Sequence, residues 1–184
     1  MANKFTTQVL RDTVTESIIK ITGTFDSTTN ESNVARIQAN TLYGALDANG
    51  VMLRTSSSKS NTALPYYNLQ LTGLKYYVNF STNILGSTEI FWNGGGVNAA
   101  AQYANSSTIF HLNGPGEFGL GEQLPSILNN SVGGNGDIGI QTQGATANAS
   151  YTMIVSLRKD NAMYQRGQFS DPAAFNAPPY NLTP

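Results

Sequence analysis

Few side chains in this sequence are suited to chemistry. Its one histidine, His111, lies in "TIFHL" between Phe110 and Leu112, and cysteine is absent. A general base needs an orienting group and a nucleophile or substrate beside it. His111 has no such partner in sequence, so a structural or surface role is expected. Without cysteine there are no disulfides, thiolate metal sites or thiol nucleophile. Carboxylates are the remaining reactive set. Glu89, Glu117, Glu122 and Asp137 would form a glycosidase pair only if two of them met across a cleft. Dispersed among polar segments, they read as solvated surface.

Other patterns are weaker than they first look. G-x-G-x-x-G occurs twice, as Gly114, Gly116, Gly119 and as Gly134, Gly136, Gly139. A dinucleotide site needs a strand before the motif and a helix opening after it. The first match continues into Pro115 and further glycine, and the second runs into a strand pattern, so both read as turns. "DSTTNE" (Asp26 to Glu31) has oxygen ligands but not the spacing or glycine of a calcium loop, and a turn between strands is expected. Trp92, Tyr66, Tyr67, Tyr76 and Tyr77 could line a sugar-binding surface. Alternation in "LKYYVNF" instead puts Tyr76 in a core row and Tyr77 on the opposite face.

The elements that would position these residues are strands. At 184 residues and 40% hydrophobic composition the chain suits one domain with a sizeable core. Only 11% of residues are charged, the net charge is -1, and the basic residues from Lys4 to Arg166 form no run, which argues against nucleic-acid binding. No segment has the length and apolarity of a bilayer span or signal peptide, so synthesis in the cytoplasm and no membrane partner are expected.

"SYTMIVSLRK" alternates Tyr151, Met153, Val155 and Leu157 with polar or outward positions, the period of a half-buried strand. "GDIGIQT" before it reads as its hairpin partner. In "LQLTGLKYYVNF" the apolar parity switches across Gly73, which predicts a bulge there. "SIIKITGTF", "VARIQANTL", "VMLRT", "TEIFW" and "TIFHL" are further strands. Asn49-Gly50, Asn93-Gly94, Asn113-Gly114 and Asn135-Gly136 are turn signals, and Pro65, Pro115 and Pro125 read as loop residues. Helical pattern is confined to weak stretches at "VNAAAQYAN" and "EQLPSILNN". The expected fold is all-β, an antiparallel, jelly-roll-like β-sandwich over residues 1–160.

Composition changes near Asn161, where Pro172, Pro178, Pro179 and Pro184 crowd the last residues. Residues 161–184 read as an extended arm, with Tyr164, Phe169, Phe175 and Tyr180 as its aromatic anchors. About two dozen extended residues reach about 80 Å, enough to meet a neighbouring subunit. Folding back over an edge of its own sheet is the other course open to the arm.

With strands and arm placed, "VLRDTVTESIIKITGTFD", "NVARIQANTLYGAL" and "GDIGIQTQG...SYTMIVSLRKDNAMYQRGQFSDPAAF" give the chain a resemblance to small virion structural proteins of tailed phages, especially phages of marine bacteria and cyanobacteria. The resemblance implies a β-sandwich assembling on a virion as a head decoration or cement protein, with a neck or tail position as the alternative. It implies homo-oligomers and contacts with a major capsid, neck or tail protein. It carries over no catalytic residue, cofactor or metal. A carbohydrate-binding adhesion module on the particle is the competing function.

Overall fold

The computed structural model describes residues 2–32, 34–47, 52–53, 67–80, 86–94, 106–119, 127–129 and 134–164. Their strands are β1 (Lys4–Asp12), β2 (Glu16–Thr24), β3 (Val34–Ile37), β4 (Leu69–Asn79), β5 (Ser87–Trp92), β6 (Ser107–Leu112), β7 (Gly114–Phe118), β8 (Ile127–Leu128), β9 (Ile138–Gln143) and β10 (Ser150–Lys159). One 3-10 turn, Ala39–Thr41, is the helical element among the described residues. One sheet has the order β1-β2-β10-β4-β7, with β8 also on β4, and the other β3-β9-β5-β6. All pairings are antiparallel.

The order has a simple logic. Pairs β2:β10, β3:β9, β4:β7 and β5:β6 are nested, as if a long antiparallel ribbon had been folded over. Pairings β10:β4 and β9:β5 then join the ribbon to itself. The chain therefore changes sheet at each step from β2 to β5, keeps to the second sheet for the β5:β6 pair and returns to the first at β7, which is the jelly-roll form of the sandwich. β1 extends the first sheet by one strand.

Period-two sequence builds the core. Ile19 and Ile21 of β2, Tyr151, Met153, Val155 and Leu157 of β10, Ile138 and Ile140 of β9, and Ile90 and Trp92 of β5 are all buried. Each large apolar side chain taken from water contributes about 1.5–3 kcal/mol. The bulge expected near Gly73 is present: Ser156 pairs with Gly73, but Leu157 pairs with Leu71, so Thr72 is the extra residue. It turns Leu69 and Leu71 to the same interior as Leu74 and Val78.

Several expectations change. β9 and β10 are not a hairpin, because β10 already has β2 and β4 on its two edges and β9 has β3 and β5. The segment between them crosses from one sheet to the other. Asn113-Gly114 likewise serves a crossing, from β6 to β7. Pro115 lies within β7, tolerated because that strand is at a sheet edge. In "EQLPSILNN", Ile127 and Leu128 form a strand rather than a helix, pairing with Leu71 and Gln70, whereas "VNAAAQYAN" lies outside the described residues.

Residues 161–164, assigned to the arm by composition, belong to the sandwich. Tyr164 is fully buried, bridges to Ala45, stacks on Tyr67 at 5.4 Å and donates its hydroxyl to the Ala39 carbonyl at 2.9 Å. Met163 O accepts the Leu46 amide at 3.0 Å. Tyr164 is therefore a core residue of the sandwich and not an arm anchor, since no ring held inside its own domain can reach a partner. Phe169, Phe175 and Tyr180 lie outside the described residues. Tyr164→Ala is expected to lower stability by about 3–5 kcal/mol and Tyr164→Phe by about 1 kcal/mol. Chemical denaturation measures both, and equal losses would contradict the packing role of the ring.

Candidate functional site

Three buried polar clusters, each joining segments far apart in sequence, stand out in a chain with so few charges. In the first, the Glu31 side chain is 1% exposed. It accepts Arg36 Nε at 2.5 Å and the Tyr151 hydroxyl at 2.5 Å. The Glu31 amide donates to Thr142 Oγ1 at 2.8 Å, and the Thr142 amide donates back to the Glu31 carbonyl at 2.9 Å. The Arg36 guanidinium also lies 4.5 Å from the Phe5 ring centroid. The cluster thus ties β1 and β10 of one sheet to β3 and β9 of the other. Burial pushes the Glu31 carboxyl up, against Tyr151 and Arg36, which favour its charge. Burial first, and then the Glu31 charge, push the Tyr151 phenol up.

In the second cluster, Lys159 is wholly buried at the end of β10. Its ammonium donates to Asp12 Oδ1 at 2.5 Å, the Thr13 carbonyl at 2.5 Å and the Tyr43 carbonyl at 2.8 Å, and lies 5.1 Å from the Tyr164 ring centroid. Asp12 also accepts Ser17 Oγ at 2.6 Å and the Tyr43 amide at 2.8 Å. With all three ammonium hydrogens engaged, this lysine is a brace and not a nucleophile. Burial draws its pKa down, and Asp12 opposes that.

In the third, Asp137 accepts the Ala39 amide at 2.8 Å and Asn135 Nδ2 at 2.9 Å. Burial pushes its carboxyl up, against both donors.

The residues nominated for chemistry are scattered over this frame. Asp137 is in the buried cluster just described, and Glu117 is on edge strand β7, 3.7 Å from Lys75 across the outer surface. Glu122 lies outside the described residues. The segment Asp26 to Glu31 is the β2–β3 connection, and its Glu31 carboxylate is committed to Arg36 and Tyr151. Gly114 opens a strand, not a helix. A Cβ on Gly116 would strike the Tyr76 ring, and Gly136 has φ +91, so these glycines serve packing and a turn. Of the aromatics, Trp92 and Tyr67 are buried, Tyr77 is 53% exposed, and Tyr66 lies outside the described residues.

Glu89 and His111 do come together. They are directly opposed on β5 and β6, and Gln141 of β9 opposes Glu89 from the other side. Thr108 Oγ1 and Gln141 Nε2 both donate to the Glu89 carboxylate. Glu89, His111 and Gln141 line, with Ser87, Thr142 and Gln143, a cleft of about 220 Å³ on the second sheet. The sequence holds no local signal for this cleft, because its members come from three strands paired only by topology.

No protein-family model and no curated protein sequence matches the chain. A chain from a single-particle structure of maize chlorotic mottle virus aligns at 11% identity over 87% of this chain and 94% of that one, with a TM-score of 0.25. So loose a superposition carries no argument, and the jelly-roll assignment rests on strand order.

Two outcomes follow from the clusters. Arg36→Ala strands the buried Glu31 charge and is expected to cost about 3–5 kcal/mol in denaturant unfolding; a loss below about 1 kcal/mol would show that Glu31 is readily hydrated. Asp137 has a folded pKa raised above its ordinary 3.8, so its stabilising contribution is full below that value and lost as pH rises through the folded pKa. The stability of wild type relative to Asp137→Asn should therefore increase as pH falls from neutrality toward 3.8, as followed by calorimetry. A decrease would contradict the burial assigned to this carboxyl.

Proposed function

We propose that the protein is a non-enzymatic structural component of a tailed-phage virion, a capsid decoration protein that binds the head surface and neighbouring subunits. The jelly roll is used by capsid domains but equally by lectins and cupins, so fold alone does not select this reading. The observation that carries it is the open edge at β1. This strand has nine residues, contains no proline, and pairs its backbone with β2 alone among the described strands. Val9 is 54% exposed on it and Leu10 49%. At the opposite edge of the same sheet, β7 is shorter and carries Pro115. A bulge at Leu10 and the charges of Arg11 and Asp12 blunt the end of β1, which leaves Lys4–Val9 as the regular run that could accept a strand from another chain.

The neutral surface, rich in Asn, Thr and Ser, and the resemblance to phage virion proteins support the same reading. The arm then starts after Tyr164, whose buried ring fixes its point of departure, and Phe169, Phe175 and Tyr180 are its anchors. The glycosidase alternative loses ground because, of the nominated carboxylates among the described residues, Asp137 and Glu117 are engaged elsewhere and Glu89 alone lines a cleft.

The test compares wild type, a chain ending at Tyr164, Phe169→Ala/Phe175→Ala and Leu10→Lys by oligomer mass, binding to phage heads and thermal unfolding. Anchor residues cost about 2 kcal/mol or more each when truncated, so assembly should weaken at least about tenfold while the unfolding transition is kept. Normal assembly by all three variants would refute the proposal.

A further inference from the structure

The cleft on the second sheet has a composition that selects its ligand. From its lining we infer that it binds one neutral sugar ring of a glycan, with Ser87, Glu89, His111, Gln141 and Gln143 as the hydrogen-bonding set. This site is independent of the assembly reading and of β1.

Charge narrows the choice first. Among the described residues no lysine or arginine lines the cleft and Glu89 does, which disfavours phosphate or carboxylate ligands. A metal ion would need three or more ligand groups. Here there is one carboxylate and one imidazole, and each Glu89 oxygen already accepts a hydrogen bond, from Thr108 or from Gln141. Those two donors fix the carboxylate and leave a further lone pair on each oxygen for an incoming hydroxyl. Gln143 and Gln141 offer amide donors and acceptors, His111 offers a nitrogen of each kind, and Ser87 offers a hydroxyl. A purely apolar ligand would leave these groups desolvated and unpaired. A polyol ring, whose hydroxyls each donate once and accept, can engage both kinds.

Size and rigidity narrow it further. A cleft of about 220 Å³ is smaller than the roughly 300–1,000 Å³ of a site for a larger organic ligand, and suits a single ring. All six lining residues are carried by three hydrogen-bonded strands, β9, β5 and β6, rather than by loops. Their spacing is set before the ligand arrives, which limits the ordering cost of binding.

His111 provides the readout, because the only histidine of the chain gives a single set of imidazole signals in heteronuclear NMR. The probes are methyl α-D-mannopyranoside, methyl β-D-galactopyranoside and methyl N-acetyl-β-D-glucosaminide, whose blocked anomeric position mimics a residue in a chain, with glycerol as an acyclic polyol and free mannose as an unblocked sugar. At least one glycoside should shift the His111 signals saturably in the millimolar range. Glu89→Gln and Gln143→Ala should each weaken that binding about tenfold, and Thr22→Ala on the other sheet should leave it unchanged. Gln143 is exposed, so its truncation spares folding even if Glu89→Gln does not. Free mannose shifting the signals while no glycoside does would place the ligand outside a glycan chain and overturn the assignment. So would the absence of a saturable shift, a shift matched by glycerol, or binding unchanged in both cleft variants.

Discussion

The structure depends on where its last described strand goes. β10 sits between β2 and β4, and only when it is in place do the first sheet's two halves become one surface. It brings Tyr151, Met153, Val155 and Leu157 to the core and ends in Lys159, the buried cation that draws Asp12, Thr13 and Tyr43 together. The pairings it makes are long-range in sequence, so the entropy of closing the chain is met before the core rewards it. The innermost pair of the nested ribbon, β5:β6, has the shortest loop to close and can form locally. The outermost, β2:β10, cannot.

This topology explains why a chain with so few charges buries several of them. A buried ion pair is poor evidence for stability, since desolvation can cancel the Coulombic gain. What such a pair does supply is a penalty for every arrangement that leaves one member alone. Glu31 is satisfied only when β3, β9 and β10 are correctly superposed, and Lys159 only when the end of β10 meets the end of β1. A jelly roll whose strands carry similar apolar alternation has many near-equivalent slips of one strand by two residues, each keeping the hydrophobic face inward. The two clusters pin the register that apolar burial leaves loosely specified, one joining the two sheets and the other fastening the end of the first.

What was legible in the sequence was local. Period-two alternation located β4, β9 and β10, strand-like runs between turn signals located β2, β3, β5 and β6, and the parity switch at Gly73 located a bulge, because all of these are properties of a single strand. Partnership was not legible. "GDIGIQT" and "SYTMIVSLRK" are neighbours in sequence with a polar connection, which is what a hairpin looks like; whether they pair or cross between sheets is decided by the strands already flanking each of them. Tyr164 was misread for a related reason. It lies beyond a composition change and next to a proline-rich stretch, but its burial depends on Ala39, Ala45 and Tyr67, all more than 90 positions away. The meeting of Glu89, His111 and Gln141 likewise follows from register, which individual residues do not encode.

The same register separates the two surfaces proposed for interaction. β1 is a lateral edge, whose free backbone groups lie in the plane of the first sheet. The Glu89–His111 cleft is on the second sheet, built by β5, β6 and β9 at a distance from that edge in strand order, with β3 standing at the end of the second sheet nearest to Thr7 of β1. A strand added to β1 would extend the first sheet sideways without needing any residue of the cleft. Recognition of a sugar and attachment to a neighbour would therefore draw on different strands and different physics, side-chain hydrogen bonding in the first case and backbone pairing in the second. A jelly roll can carry both because the hydrogen bonds of the Glu31 cluster tie its two sheets together through strands other than the β1 edge and the cleft's β5 and β6, so that use of one surface needs no residue of the other.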